Sequence, residues 1–341
     1  MAGRPHVLIL AGGRGERFWP WSRERRPKPF VSFDGRRTLL ADAWSRARRL
    51  ATPSRIWVVS HHRLASAIRS ELPQLRPDRL IPEPSSRDTA PAIALAALTI
   101  AASDPGAVMI VTPSDHAIDD PSAWVRDTRR ALAATRGGAL VCLGVAPSAP
   151  NPAFGYLVFD RRPGRGVAPV KRFVEKPSVP VARRLLATRR CLWNAGIFAW
   201  RVDAFLQELE RRRPDIATAA RAAKAGRAKA WGSLRPVSVD FAVLEHATDV
   251  RAVRLTSGWD DLGSWDVVAR RAKPPGPRRA LLVDSPGTAV FTRKRFVAVV
   301  GVPNVTVVEA DDAVLVVARE RAQESRRVVA ELRRRGRGDL L

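Results

Sequence analysis

The sequence predicts an α/β protein with a mostly parallel sheet, helices on both faces of that sheet, and a small β-rich domain at the C-terminus. Three observations predict this class. Apolar, strand-like runs alternate with segments of helical periodicity over the first 145 residues. A proline-rich break follows at residues 273–277, and several short apolar runs lie beyond it. A chain of 341 residues is long enough for one large domain or two unequal ones.

The first half of the chain shows the alternation of strand and helix. The predicted strands are short apolar runs at residues 6–11, 56–60, 107–112 and 139–145. The predicted helices carry apolar residues at helical spacing and span residues 39–50, 89–102 and 123–135. Such spacing is typical of a parallel sheet in which helices make the crossovers.

The pattern becomes less regular after residue 150. We expect strands at 155–159, 170–175 and 195–200, and helices at 181–189, 202–213 and 239–246. The break at 273–277 cannot continue either element and predicts a linker. Beyond it we expect strands at 280–284, 288–291, 297–300, 306–308 and 313–317, then a basic amphipathic helix at 319–335. The predicted domains are therefore residues 1–272 and 278–341.

The composition restricts the class of protein. Lys and Arg number 59 against 33 Asp and Glu, a net charge of +26, but only seven of the 59 are lysine. The arginines are scattered, which indicates coding bias rather than a nucleic-acid-binding stripe, while an anionic small substrate remains compatible. Cys142 and Cys191 have no partners at metal spacing, so we expect a reducing cytoplasm. No apolar run reaches the ~18 residues of a membrane span, and a strand beginning at His6 leaves no room for a secretory signal.

A glycine-rich loop with nearby cations follows the first predicted strand. Gly12, Gly13 and Gly15 allow several backbone N–H groups to converge on an anion. The cationic side chains around the loop are Arg14, Arg17, Arg23 and Lys28. The segment is not a dinucleotide fingerprint, because Phe18 stands where the third glycine is required, and no Gly-Lys-Ser/Thr follows as in a P-loop.

This loop resembles the signature of the sugar-1-phosphate nucleotidylyltransferases, and among them the mannose-1-phosphate guanylyltransferases (GDP-mannose pyrophosphorylases). Further segments resemble motifs of that family in the same order, so that the resemblance covers residues 6–335. They are residues 83–93, 113–116, 173–177, 193–198, 238–245 and 258–265. The resemblance implies a Rossmann-like, glycosyltransferase-A-like nucleotidyltransferase fold.

The resemblance also implies a reaction, transfer of GMP from GTP to mannose 1-phosphate with release of pyrophosphate, and a role for each matching residue. The implied catalytic cations are Arg17, Lys28 and Lys176. The implied nucleotide-binding residues are Ala11, Gly12, Gly13, Arg14, Gly15, Arg87, Thr89 and Ser114. The implied sugar-binding residues are Gly155, Tyr156, Glu175, Asn194 and Gly196. Asp115 and Asp261 would hold Mg²⁺ with the phosphates, and Asp260 is a weaker candidate because the family more often has Ser there.

Three departures from the family pattern affect the predicted sugar selectivity: Pro29 replaces a usual Gln, Pro152 a Thr, and Ala195 a Ser. The alternatives therefore include another sugar 1-phosphate or another base. A non-catalytic nucleotide-sensing paralogue and a nucleic-acid binder are further alternatives. We expect GTP and mannose 1-phosphate as partners, no specific nucleic acid, no membrane, and a homodimer. Because the chain ends soon after the β-rich domain, we expect the transferase step without an isomerase step.

Overall fold

The computed structural model describes residues 4–13, 15–271 and 279–341. The chain forms two compact units, each assembled from three segments. The first contains Met1–Gly12, Ala43–Ser114 and Ile118–Trp259, and the second contains Gly13–Asp42, Asp115–Ala117 and Asp260–Leu341. The linker expected at 273–277 lies outside the described residues, so the division into residues 1–272 and 278–341 stays a prediction.

The strands and helices are numbered along the chain. The strands are β1 His6–Leu10, β2 Ile56–His61, β3 Leu80–Glu83, β4 Val108–Pro113, β5 Ala117–Ile118, β6 Leu140–Val145, β7 Tyr156–Val158, β8 Val167–Pro169, β9 Arg172–Val174, β10 Cys191–Arg201, β11 Val250–Arg254, β12 Trp259–Asp260, β13 Ala280–Val283, β14 Ala289–Phe291, β15 Val297–Val300, β16 Val305–Glu309 and β17 Val314–Ala318. The α-helices are α1 Leu39–Ala47, α2 Ala65–Glu71, α3 Thr89–Ser103, α4 Pro121–Ala134, α5 Val179–Ala187, α6 Val202–Arg212, α7 Pro214–Lys224, α8 Lys229–Gly232, α9 Trp265–Arg271 and α10 Arg326–Arg334.

The first unit is built on a sheet with the strand order β3-β2-β1-β4-β10-β6-β11-β8. Neighbouring strands from β3 to β4 are parallel, and β6 and β11 are parallel as well. The predicted mostly parallel sheet is confirmed. The strand β10 lies antiparallel between β4 and β6, with Phe198 opposite both Val111 and Cys142. The apolar run at residues 195–200 predicted this strand but carried no information about its direction.

Local sequence determines where the two long helices of this unit begin. The Asp88 carboxylate accepts a hydrogen bond from the Thr89 N–H at 2.7 Å, which caps α3. Asp120 accepts from the N–H groups of Ser122 and Ala123 and caps α4, whose first residue is a proline. Nine of the 15 residues of α3 are buried, because the helix is apolar on most of its circumference.

The second unit contains the small β-rich region expected at the C-terminus. Here β14, β16 and β17 form one sheet and β13 pairs with β15. An aromatic cluster fills its core, with Trp265 5.3 Å from Trp21 and 5.1 Å from Phe291 between ring centroids. The basic helix expected at 319–335 is continuous only from Arg326. Residues Arg319–Ser325 form a 3-10 helix, whose last residue, Ser325, is buried.

None of the described helices is both long and apolar enough to span a bilayer.

Candidate active site

Lys28 is a buried cation in the second unit. It begins a short 3-10 helix, Lys28–Phe30, between two prolines that restrict the backbone. Its ammonium donates to Asp115 Oδ2 at 2.7 Å and to the Asp261 backbone carbonyl at 2.9 Å. It also lies 5.2 Å from the centroid of the Phe18 ring. With only 7% of the residue exposed, this charge has a fixed position.

A tight turn brings the glycine loop against Lys28. Gly15 has a φ of +67°, and a Cβ added there would lie 2.3 Å from Lys28 Cβ, so no other residue fits. The Ser22 hydroxyl donates to the Gly15 carbonyl at 2.6 Å and holds the turn. The chain then enters the short helix Glu16–Phe18.

The pKa values of the two carboxyl groups near Lys28 are shifted in opposite directions. Burial favours the neutral form of Asp115, but the charges of Lys28 and His116 and the hydrogen bond from Lys28 together lower the pKa of this carboxyl below its usual value. For Asp261, burial raises the pKa; Lys28 opposes that shift, while the carboxylates of Asp260 and Asp115 add to it. One ammonium therefore does not neutralise both aspartates.

These residues line a cavity of about 510 Å³. Its walls comprise Gly13, Gly15, Glu16, Arg17, Phe18, Lys28, Asp115, His116, Asp261, Gly263 and Arg326. Within the described residues no three His, Cys, Asp or Glu side chains form a ready metal cage. Mg²⁺ is commonly held by one or two carboxylates together with substrate phosphates. The excess carboxylate charge at Asp115 and Asp261 therefore fits a divalent cation that arrives with a polyanion.

A second group of polar residues lies in the first unit, where β9 ends. Glu175 Oε1 is 2.9 Å from the Lys176 ammonium, and the Glu175 N–H donates to Glu245 Oε1 at 2.7 Å. The Glu175 side chain is 6% exposed and that of Lys176 54% exposed. The pair therefore presents a cation at the surface, anchored on an enclosed carboxylate.

Asn194, on β10, extends this group. Its Nδ2 donates to Asp240 Oδ1 at 2.7 Å, and its Oδ1 accepts from the Gly196 N–H at 3.1 Å. Its own N–H donates to the Gly155 carbonyl at 2.8 Å. A Cβ on Gly155 would lie 2.4 Å from Glu175 Oε2, so this glycine is required by close packing.

Burial also changes the acid–base chemistry of the first-unit group. The pKa of Asp240 is raised to about 7 by burial and by the negative charge of Glu175, partly offset by Lys176 and Asn194. Burial raises the pKa of Glu175 as well, although Lys176 opposes the shift. Burial acts against the charged form of Lys176, but its contact with Glu175 leaves the pKa of this ammonium raised.

Glu83 ends β3 of the first unit as an isolated buried acid. Its Oε1 has no hydrogen-bond partner among the described residues, and its Oε2 lies 3.7 Å from the position of a Cβ on Gly12. Burial, with the charge of Asp88, raises its pKa from 4.5 to about 8. A buried carboxyl oxygen without a protein partner is rare, and such an oxygen is free to accept a hydrogen bond from a water or a ligand.

Comparison with known proteins assigns the chain to a family. Residues 6–273 match the family model described as "Nucleotidyl transferase", and residues 278–332 match the "MannoseP isomerase/GMP-like beta-helix domain". The chain belongs to the nucleotidyl transferase family. The resemblance noted from the motifs is confirmed.

Several similar proteins have names or known structures. The xanthan biosynthesis protein XanB of Xanthomonas campestris is 36% identical over 348 residues, covering 97% of this chain and 74% of its own. A mannose-1-phosphate guanylyltransferase of Escherichia coli K12 is 31% identical, with the same coverages. A crystal structure described as mannose-1-phosphate geranyltransferase from Thermus thermophilus has a TM-score of 0.88 and 32% identity, covering 97% of this chain and 99% of that one.

The residues expected from the family motifs are divided between the two units. The first holds Ala11, Gly12, Arg87, Thr89, Ser114, Gly155, Tyr156, Glu175, Lys176, Asn194 and Gly196. The second holds Gly13, Gly15, Arg17, Lys28, Asp115 and Asp261. Arg14 lies outside the described residues. Direct contacts join Lys28 to both aspartates, Glu175 to Lys176, and Asn194 to Gly155 and Gly196.

Some of these side chains already form hydrogen bonds within the protein. Tyr156 is fully buried, its hydroxyl donates to the Asn151 carbonyl at 3.1 Å, and its strand β7 is paired on both sides, with β10 and β9. Arg87 donates to the Gly232 carbonyl, and the Thr89 hydroxyl accepts from the Val239 N–H at 2.9 Å.

Sequence reasoning left out four residues that the structure places in these groups: Glu83, Asp240, Glu245 and Arg326. The first three lie inside segments that resemble family motifs, so those segments could have identified them. Arg326 lies in a run of arginines and had none.

Proposed function

We propose that this chain transfers the guanylyl group of GTP to mannose 1-phosphate, giving GDP-mannose and pyrophosphate. The family supports nucleotidyl transfer, and the name of the Escherichia coli relative supports the guanylyl and mannose assignments. The observation that carries the proposal is the group formed by Lys28, Asp115 and Asp261 against the glycine turn. It combines a fixed cation with excess carboxylate charge, as a site for a metal-bound triphosphate requires.

The proposed reaction needs no protein base. An oxygen of the sugar phosphate forms a bond to the α-phosphorus of GTP, and the bond from that phosphorus to the bridging oxygen of pyrophosphate breaks. The attacking oxygen is already an anion, so the protein must align two polyanions and neutralise the charge that develops. We assign this task to Lys28 and Arg17 on the triphosphate and to Lys176 on the sugar phosphate.

We assign Mg²⁺ to Asp115 and Asp261, whose oxygens are the hard donors that this ion prefers. When bound, the ion supplies positive charge to the phosphate oxygens. Without it, Asp115 retains the Lys28 ammonium as its counter-ion.

We assign the sugar to the group at the end of β9. Glu175 and Asn194 offer an acceptor and an amide for sugar hydroxyls, and the backbones of Gly155 and Gly196 contact Asn194. Tyr156, the residue after Gly155, pairs with strand β9, which ends beside Glu175. Lys176 is the exposed cation of this group, which suits the phosphate of the sugar.

We assign the base to Glu83, with Arg87, Thr89, Ser114 and the backbone of Ala11 and Gly12 nearby in the nucleotide site. Guanine presents two adjacent N–H donors, at N1 and N2, and one carboxylate can accept both. Adenine and the pyrimidines lack that pair. An unpartnered buried carboxyl beside Gly12 therefore favours guanine.

The wider organisation of the chain is part of the proposal. Residues 1–272 would form the catalytic domain and 278–341 a small β-rich domain, which the two family matches support. We further propose a cytoplasmic location, since Cys142 and Cys191 are both free and buried.

The test is a matrix assay of four nucleoside triphosphates against several sugar 1-phosphates with Mg²⁺, following pyrophosphate release. We expect the highest rate with GTP and mannose 1-phosphate, and little release without the sugar. Lys28→Ala should reduce turnover by roughly 10²–10³-fold, as expected for one preorganised electrostatic donor. A higher rate with another sugar or base would reassign the substrate, and no release with any pair would refute the transferase assignment.

A further inference from the structure

The C-terminal helix α10 begins at the proposed triphosphate cavity. The buried Ser325, just before the helix, donates its hydroxyl to the Arg17 backbone carbonyl at 2.7 Å. The Arg333 guanidinium, two turns later, pairs with Glu16 at 2.9 Å and Glu24 at 3.0 Å. The first residue of α10 is thereby held beside the loop that carries Arg17, and Arg326 lines the cavity.

Arg326 differs from the other arginines of its segment. Within residues 319–335, six arginines form ion pairs with an aspartate or glutamate of the same unit: Arg319, Arg321, Arg327, Arg333, Arg334 and Arg335. Arg326 has no acidic partner among the described residues. The one arginine of this segment that is left without a carboxylate is the one that lines the cavity.

Charge in the cavity explains what an unpaired Arg326 could bind. The Lys28 ammonium is engaged by Asp115, and Glu16 is engaged by Arg333. Arg17 also has no acidic partner in the described parts of the chain. Two guanidinium groups on the cavity wall therefore remain available to an anion, and guanidinium is suited to paired contacts with phosphate oxygens.

We propose that Arg326 is a phosphate-binding residue that contacts the pyrophosphate portion of the nucleotide, together with Arg17. This inference rests on the proposed function for the identity of its ligand. It makes the C-terminal helix a direct contributor to the triphosphate site. The β-rich region then bears on catalysis through this one side chain.

The experiment is calorimetric titration of inorganic pyrophosphate into the full chain with Mg²⁺ present, for the parent and three variants. Arg326→Ala should weaken pyrophosphate binding by about tenfold, as for the loss of a charge-assisted hydrogen bond at an exposed site. Arg326→Lys should lose less affinity for pyrophosphate, because lysine keeps the positive charge but cannot make the paired contacts of a guanidinium with phosphate oxygens. Arg327→Ala is the matched control, because its neighbouring guanidinium pairs with Glu324 and does not line the cavity; it should bind within a factor of about two of the parent.

The reverse reaction gives a readout that a purely structural role would not change. For Arg326→Ala we expect a raised KM for pyrophosphate with an unchanged KM for GDP-mannose and an unchanged melting temperature. Pyrophosphate binding equal to the parent in Arg326→Ala, or an equal loss in Arg327→Ala, would overturn the inference. If the parent binds pyrophosphate with the expected pattern but releases none from GTP and mannose 1-phosphate, the proposed function fails while the role of Arg326 stands.

Discussion

At the scale of single residues, Lys28 carries one positive charge beside two aspartates. It lowers the pKa of Asp115, whereas burial and the nearby carboxylates leave the pKa of Asp261 raised. The unbalanced negative charge would be relieved by a divalent cation shared between the two side chains. Whether Asp115 and Asp261 bind one ion together can be measured with single and double variants.

We predict non-additive losses for these aspartates. Asp115→Asn and Asp261→Asn should each reduce turnover by roughly 10²–10⁴-fold, and the double variant should lose little more, because either change displaces the shared ion. High Mg²⁺ should partly restore the single variants. Asp260→Asn is the control and should be much milder, since its carboxylate accepts a hydrogen bond from the Leu262 N–H instead. Multiplicative losses with unchanged Mg²⁺ dependence would show that the aspartates act separately.

Glu83 leads to a prediction about pH. With a pKa near 8 it is protonated at pH 7 in the free protein, but it must be ionised to accept the N1 and N2 donors of guanine. GTP binding should therefore release close to one proton at pH 7, and affinity should rise by up to tenfold per pH unit up to about pH 8. Calorimetry in buffers of different ionisation enthalpy measures the release. The matched variant Glu83→Gln should release none and discriminate less against other bases; proton uptake by the parent would contradict the assignment.

At the scale of elements, the turn before β7 sets the position of Glu175, a carboxylate of the proposed sugar site. Gly155→Ala would place a methyl group against Glu175 Oε2 and displace that side chain. We expect the KM for mannose 1-phosphate to rise by roughly tenfold, the loss of a charge-assisted hydrogen bond, while the KM for GTP is unchanged. The control is Gly164→Ala in the same unit, where an added Cβ meets nothing within 4 Å. Equal effects on both substrates would mean that Gly155 acts on folding alone.

The helices and strands also show how much of the fold can be predicted from the sequence. Periodicity located β1, β2, β4, β6 and the helices α3 and α4 to within two residues, because each is a continuous apolar or amphipathic segment. It missed β3, β8 and β11, which are short or carry charged residues between apolar ones. The family motifs pointed to Lys28, Asp115 and Glu175. The motifs gave no signal for Arg326. It differs from the neighbouring arginines because it has no carboxylate partner within the described residues, and the sequence alone does not show which arginines are paired.

At the scale of the whole molecule, several large apolar side chains of the β-rich region are exposed. Leu281, Leu282 and Val283 of β13, Val300 of β15, and Val314 and Val316 of β17 are exposed, Val316 at 61%. Apolar side chains on sheet strands favour association with a second surface. We propose that a second copy of the chain covers them.

Light scattering should then give the mass of a dimer. Val316→Glu should shift that mass to the monomer, because it places a charge in the proposed interface. Val167→Glu is the control, an apolar residue of the first unit that is also exposed, at 45%. A monomeric parent, or the same shift in both variants, would end the dimer proposal.

The antiparallel strand in the middle of the sheet has a consequence for biosynthesis. The strand β10 fills the gap between β4 and β6, yet it follows β4 by nearly 80 residues in the chain. While the ribosome is still making residues 114–190, the strands already released expose an unpaired edge on β4, and such edges recruit foreign strands. The nascent chain is therefore prone to aggregation in this interval. Slow translation before residue 191 would lower the yield of folded protein, whereas a chaperone that covers β4 until β10 emerges would raise it.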